Sequence, residues 1–320
     1  MHSRGCIAKA SRLFGKSRQA FHQMEKRRVR GGIDEEMIRV YVKAIRKQQP
    51  RIGTRKLHSM LQEVFESNGI KLGRDKFFGV LRKNGLLVRR RRRRQKTTDS
   101  NHAFSKYPNL IGEYVPTGPE QIWVSDITYL STKCGFVYLS LVTDQYSKRI
   151  MGYHVSATLE AFGPLKALKM ALRNRCHPHS KLIHHSDRGI QYCCHEYIEL
   201  LEHNDIQISM SAKGSPDENA VAERVNGVLK SEFYLDRVFE DHAQVCRVVK
   251  DTIGIYNTRR PHASCDYLTP QQAHTRSGEL KKRWRDYKPR KKQGDLEPIG
   301  EEVKKVLAQL APRSREEVPA

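Results

Sequence analysis

The chain has 320 residues, with 59 lysines and arginines against 35 aspartates and glutamates, a formal net charge of +24 and a sequence isoelectric point near 9.9. The surplus is concentrated: residues 1 to 100 hold 28 basic and 8 acidic side chains, residues 101 to 320 hold 31 and 27, so the first third is expected to anchor on a polyanion and the rest to be an ordinary globular body. No apolar run approaches the roughly 18 residues that span a bilayer and the opening residues are too charged for a signal peptide, while seven cysteines without a Cys-x-x-Cys pair exclude a disulfide framework and a classical zinc finger and leave a reducing cytoplasm as the expected compartment.

In chain order, residues 8 to 26 read as a small helical hairpin, with Leu13 and Phe14 before a turn at Gly15 and Ser17 capping a helix that carries Arg18, Gln19, His22 and Gln23 outward. Asp34 is the expected cap of a second helix with Met37, Tyr41, Ala44 and Ile45 on one stripe, stopping before Pro50. Thr54 is the expected cap of a third, with Leu57, Leu61, Val64 and Phe65 inward and a stop at Asn68-Gly69. A fourth runs over about 73 to 84 and ends at Asn84-Gly85. Short helices joined by tight turns suit a helix-turn-helix module whose last helix enters the DNA major groove, with Arg18, Gln19, Arg55, Lys56, Arg74 and Lys76 as the expected DNA contacts. Arg89 to Arg94 (Arg89, Arg90, Arg91, Arg92, Arg93 and Arg94) repel one another and read as an extended linker that orders on phosphate.

From residue 121 the period changes. QIWVSDITYL, GFVYLSLVTD and RIMGYHVS are β-rich runs separated by turn residues, an antiparallel meander. A helix through Phe162, Leu165, Leu168 and Leu172, a buried strand KLIHHSD, a helix through Tyr197, Leu200 and Leu201, the strand IQISM and a long helix from Ser215 follow. The expected fold is therefore α/β, a ribonuclease H-like mixed five-stranded sheet with flanking helices, preceded by an all-α helix-turn-helix domain. The expected divisions are 1 to 30, 31 to 88, a basic linker 89 to 118, the core 119 to 275 and a basic tail 276 to 320. In that tail Trp284 and Tyr287 interleave with cations, and Val303, Val306, Leu307 and Leu310 fall at helical spacing.

In so basic a chain the informative residues are carboxylates placed where folding should bury them. Asp126 sits inside the run Ile122, Trp123, Val124, Ser125, Ile127, where an unpaired charge is costly, and Asp187 ends the strand containing His184 and His185. Glu223 lies on a helix whose start is marked by a Ser215-x-x-Glu218 capping box with Pro216 in the first turn. On that helix Val221, Val225, Val228 and Glu232 lie opposite Glu223, whereas Asn219, Asn226 and Lys230 fall within ~60° of it. Three carboxylates brought together raise one another's pKa unless cations intervene. Two hard divalent ions would resolve the conflict and supply the chemistry of polynucleotide phosphoryl transfer.

Asp126 and Asp187 with 60 residues between them, then Glu223 after another 35, resemble the DDE triad of retroviral integrases and insertion-sequence transposases. The nearer resemblance is to the second-frame (OrfB) transposases of the insertion sequence three family. It rests on WVSDITYL, HHSDRGIQY, SMSAKG followed by NAVAERVNGVLKSEF, YNTRRPHASCDYLTP and, in the helical segment, RIGTRKLHSML, and it covers residues 8 to 275. Glu218 stands where the family usually has Asp. The resemblance implies a transposase of the bacterial nucleoid that cuts element ends and joins a 3′ hydroxyl to a phosphodiester with two Mg²⁺ or Mn²⁺ ions held by Asp126, Asp187 and Glu223. It implies contact of Asn219 and Lys230 with the terminal DNA, assembly as a homo-oligomer on terminal and target DNA, and a frameshift fusion to a first-frame helix-turn-helix protein. The rival expectations are a non-catalytic DNA-binding regulator and a ribonuclease H-like nuclease that hydrolyses without joining.

Arg259, Arg260 and His262 read as phosphate contacts, because Asn257, Pro261 and Pro270 are expected to break helix on both sides. His184 and His185 read as split between the two faces of a strand rather than as a zinc pair, with His185 placed to orient a water or a ligand. Cys176, His177 and His179, with Cys193 and Cys194, have zinc-like spacing only if the loop folds back, and read as structural.

Overall fold

The computed structural model describes residues 17–88, 106–112, 114–177, 181–212 and 216–283, together with Leu13 and Gly15. Arg89 to Arg94, Ser215, His179, Trp284, Tyr287 and the apolar positions at 303 to 310 lie outside the described residues.

From Ser17 the described chain runs through three helices, α1 (Arg18–Gln48), α2 (Thr54–Ser67) and α3 (Arg74–Lys83). Gly15 turns at φ +59 and the Ser17 side chain accepts from the Ala20 amide at 3.1 Å, so the turn and the cap lie where the residues indicate. The helix that follows does not end near residue 26, however. It runs 31 residues through Gly31, Gly32 and Asp34, which corrects the end near residue 26 and the Asp34 cap, while residues 8 to 12 of the expected hairpin lie outside the described residues. Glycine lowers helix propensity but keeps its N–H, so two of them weaken a helix without stopping it, and no proline intervenes before residue 50. Gly53, not Thr54, takes the N-cap position of α2, and Thr54 is buried as its first residue. Gly69 and Gly85, at φ +65 and +64, end α2 and α3 in left-handed turns, and the Ile70 and Leu86 amides reach back to Phe65 and Leu81. Ile38, Val42, Ile52, Leu57, Leu61, Phe65, Phe77 and Leu81 form the core between these helices.

The second part is built on β1 (Ile122–Thr132), β2 (Gly135–Asp144), β3 (Ile150–Ser156), β4 (Leu182–Ser186), β5 (Ile206–Met210) and a two-residue β6 (Val238–Phe239). The strand order is 3-2-1-4-5, with β6 pairing β1. β1, β2 and β3 are an antiparallel meander, and β4 and β5 extend the sheet in parallel from β1. With helices on both faces this is the expected ribonuclease H-like fold, enlarged by the short sixth strand. One face carries α4 (Phe162–Arg173), α5 (Ile190–Cys193) and α6 (His195–Glu202), packed around Trp123, Met151, Leu168, Leu182, Tyr197 and Ile208. The other carries α7 (Ala220–Glu232) and α8 (His242–Arg259), packed around Leu130, Leu139, Leu141, Val225, Val228, Val249 and Tyr256. A short α9 (Pro270–Ala273), capped by Thr269 in a capping box, closes the described chain.

The start of α7 differs from its sequence signature. Pro216–Asn219 form a 3₁₀ turn, α7 begins at Ala220, and Glu218 accepts from the Ala212 amide at 2.6 Å, while the Ser215 end of the expected box lies outside the described residues. Asn257 likewise does not break α8. It lies inside the helix, where its amide nitrogen bonds the Ile150 carbonyl and its oxygen the Ile150 amide, both at 3.0 Å, fastening α8 to β3.

Candidate active site

Pairing between β1 and β4 covers Ile122, Trp123 and Val124 and then stops, while the far end of β1 pairs β6 through Ser131 and Thr132. Val124 is level with His185, so Asp126 and Asp187, two residues further along the parallel strands, come level on the same face where the sheet opens. That face lies under α7. The Ser125 carbonyl, without a β4 partner there, accepts from Asn219 Nδ2 at 3.1 Å, and Asn226 Nδ2 donates to Asp126 Oδ2 at 2.7 Å. Asp126 Oδ1 accepts from the Ile127 amide at 2.9 Å, and Asp187 Oδ1 from the Gly189 amide at 3.0 Å.

Burial pushes the Asp126 carboxyl up to about 7, and the charge of Asp187 and, less strongly, of Glu223 adds to that, against the Asn226 and Ile127 hydrogen bonds. The field at Asp126 thus records the approach of both other carboxylates. Glu223 stands exposed in the first turn of α7, whereas Val225 and Val228 are buried behind it. Lys230 is half-buried one face down the helix. Burial lowers its pKa, and the charges of Asp126 and Asp236 oppose that shift. The donors are oxygens alone, a hard set that fits Mg²⁺ or Mn²⁺ better than a thiolate-seeking ion. Asn219 Oδ1, Asn226 Oδ1 and His185 Nε2 are buried beside the carboxylates with no protein partner, which leaves polar atoms to meet water or ligand.

His184 and His185 do project to opposite faces. His184 Nε2 meets Ser125 Oγ at 2.7 Å and Tyr197 Oη at 2.9 Å, and burial holds its ring neutral, down to about 3. His185 Nδ1 meets Ser209 Oγ at 2.9 Å, and burial lowers its pKa to about 4, so it too is neutral. Ser209 Oγ also accepts from the Leu110 amide, so Ser209 ties His185 to the segment before the core. Sequence reasoning placed Asn226 on the right face of its helix without giving it a task; only the fold puts its amide against Asp126.

Integrase core domain models match residues 116–216 and 204–270. An uncharacterized 31 kDa protein of insertion element IS600 from Shigella sonnei is 36% identical over 220 residues, 68% of this chain and 79% of that one. The chain belongs to the insertion-sequence transposases. The transposase of IS904 from Lactococcus lactis is 29% identical over 254 residues, 78% of this chain and 97% of its own. Transposase InsF of IS3A from Escherichia coli is 34% identical over 194 residues, 60% of this chain and 67% of its own, which places the chain in the insertion sequence three family with a retroviral-integrase-like core.

The expected DNA-contact residues of this transposase divide by burial. Gln19, Arg55, Arg74, Lys76 and Arg259 are exposed, although Arg74 Nε bonds Asp75 Oδ1 at 3.0 Å and Arg259 bonds Gln48. Arg260 and His262 are buried and Lys56 is partly buried, and their bonds run to groups within the protein, against their reading as DNA contacts. Arg260, 2% exposed, grips Glu232 through Nε to Oε2 at 2.8 Å and Nη2 to Oε1 at 2.9 Å; Lys56 Nζ joins Oε1 at 2.7 Å. His262 Nε2 accepts from Arg260 Nη1 at 2.6 Å, and burial and that neighbour keep its ring neutral. Asn219, 7% exposed, commits Nδ2 to the Ser125 carbonyl and keeps only Oδ1 for a ligand. Arg18 belongs to the first turn of α1.

Proposed function

We propose that this transposase cuts the ends of its element and joins a 3′ hydroxyl to a DNA phosphodiester at the site formed by Asp126, Asp187 and Glu223. The observation that carries the reading is a buried Asp126 at the open stretch of the sheet, level with Asp187 and beneath the helix that bears Glu223, with its carboxyl pushed up to about 7 by burial and by the charges of the other two. Asp126 and Asp187 would hold Mg²⁺ or Mn²⁺ at the sheet and Glu223 would complete the second position from α7. Two such ions supply, when bound, a more acidic attacking hydroxyl and a stabilised leaving oxygen.

The chain's own residues do the rest. Asn226 fixes the rotation of the Asp126 carboxylate, Asn219 holds α7 at its distance from β1, and neutral His185, two residues before Asp187, keeps a ring nitrogen that can meet a hydroxyl or a phosphate oxygen. Lys230, on the same face of α7, is placed for the phosphates of the terminal DNA. In this reading Gln19, Arg55, Arg74 and Lys76, with Arg18 and the arginines at 89 to 94, grip terminal and target DNA, Arg259 adds a phosphate contact, and two or more copies pair the two ends. The exposed start of α3 is the segment offered to the major groove. A fusion to a first-frame protein supplies end recognition beyond that of this chain.

The test is strand joining in Mg²⁺ on end-labelled DNA bearing the element's termini, with the chain, its Glu223→Gln variant and the first-frame fusion. Junctions from the chain or the fusion, reduced at least about 10³-fold by the substitution, are expected. Metal-dependent free ends without junctions would replace joining with hydrolysis; no metal-dependent product from either form would leave a DNA-binding regulator.

A further inference from the structure

A second constellation lies away from the triad, where the start of the core meets the loop after α4 and the segment after α8. Glu120 is fully buried and takes a left-handed backbone at φ 59, unusual for a side-chain-bearing residue. Its amide donates to Asp144 Oδ2 at 2.7 Å, while its carboxylate accepts from the Cys176 and His177 amides at 2.7 and 2.6 Å. His274, 3% exposed, brings Nε2 to 3.2 Å from Glu120 Oε1. Its other nitrogen meets Ser147 Oγ at 3.0 Å, and Ser147 in turn donates to Asp144 Oδ1 at 2.6 Å.

We propose that Glu120, Cys176 and His274 form a binding site for a divalent cation of borderline softness, zinc(II) above others, that pins the segment after α8 to the start of the core. One ligand atom from each of the three lies within 4.8 Å of the other two, a span that a small relaxation closes to tetrahedral ligation. The donor set is sulfur, nitrogen and oxygen, which selects zinc over the magnesium suited to the carboxylate triad. Ser147 and Asp144 orient His274 from its far side, as carboxylates commonly orient metal-bound imidazoles, and leave Nε2 directed at the other ligands. Cys176 is exposed, so a cation has an approach from solvent and a water can occupy the fourth position. His274 donates from Nδ1 to Ser147 and from Nε2 to Glu120 before a cation arrives, so binding releases two protons to solvent, one from the Cys176 thiol and one from His274 Nε2; no electron is transferred. Cys193 and Cys194 take no part: Cys193 Sγ packs on Met210 Sδ at 3.7 Å and Cys194 Sγ bonds the Gln191 carbonyl at 3.4 Å.

The experiment uses the full chain. Zinc retained after desalting in excess Mg²⁺ is measured for the wild type and for C176S, H274Q and E223Q, and Co²⁺ is then exchanged in as a spectroscopic probe. Expected are about one zinc per chain and a thiolate-to-cobalt absorption in the wild type and in E223Q, with retention at least about tenfold lower in C176S and H274Q and the absorption lost in C176S. Cys176 is exposed, so C176S should keep the wild-type circular dichroism and can be compared directly. Equal zinc in C176S and wild type, or cobalt bound without thiolate absorption, overturns the proposal.

Discussion

Asp126 meets two conflicting demands. The folded chain holds it beside Asp187 and within the field of Glu223, and burial pushes its carboxyl up to about 7 from an ordinary 3.8, so at neutral pH and without a cation its charge opposes folding. The sign is that of a group raised by folding: it contributes stability when protonated, and that contribution is lost as the pH rises through about 7. Asp126→Asn removes the charge and keeps the shape; its oxygen accepts from the Ile127 amide and its NH2 donates to Asn226 Oδ1 once the Asn226 amide flips. At pH 8 in a chelator it is expected to raise the melting temperature by a few degrees while abolishing strand joining, a gain in stability at the cost of function. An unchanged or lower melting temperature by calorimetry would show that the carboxylates do not repel. The pattern of carboxylates in apolar runs was enough to single out Asp126, Asp187 and Glu223. The amide that restrains Asp126 was not legible, because a helical wheel gives the side of a helix and not the strand beneath it.

Two contacts between elements show what the packing tolerates. A Cβ added at Gly152 on β3 would lie 2.0 Å from the Ala167 carbonyl oxygen and 2.6 Å from the Ala171 nitrogen, so α4 rests directly on the strand backbone. Gly152→Ala must push the helix away, and a loss of about 3 kcal/mol is expected in urea unfolding. The second contact is the cluster around Glu232, which holds the last turn of α7 to Lys56 of α2 and to Arg260, while the Arg51 amide donates to the Glu232 carbonyl at 3.0 Å. Arg260 and Lys56 hold the Glu232 carboxyl down to about 2, against burial, which raises it. A depressed carboxyl contributes its full stability above its ordinary value of 4.5 and loses it as the pH falls through about 2. Glu232→Gln is therefore expected to cost about 3 kcal/mol at neutral pH by leaving two cations without their counterion. The gap in melting temperature from the wild type should be constant above about pH 5 and narrow below it; a gap independent of pH down to 2 would rule out the ionised carboxylate as its source. Burial of Glu232 was readable from its place opposite Glu223. Its partners were not, because Lys56 lies 176 residues away in sequence and Arg260 is 28 away.

At the scale of the molecule, charge is divided as the sequence divides it: a strongly basic first third and a nearly balanced core. Electrostatic grip on DNA weakens with salt in proportion to the phosphates neutralised. Replacing the six arginines at 89 to 94 with serine should flatten the plot of log affinity against log salt by up to ~5, at 0.9 per phosphate contact. An unchanged slope in fluorescence anisotropy would assign the phosphate contacts to other cations. Among the described residues no helix is long and apolar enough to cross a membrane, in keeping with that division of labour.

What the sequence determined by itself was whatever depends on local period and on residue type: strands and helices in order, the left-handed stops at Gly69 and Gly85, the buried valines of α7, the three carboxylates and the family they resemble. The tertiary structure decided what depends on partners distant in the chain. It carried α1 through two glycines, and it turned Lys56, Arg260 and His262 from prospective DNA contacts into an internal clamp. It also gathered Glu120, Cys176 and His274 from positions spread across the core. A cation's type is written in the sequence, but whether it faces phosphate or a buried carboxylate is set by desolvation, and desolvation exists only once the chain has closed around it.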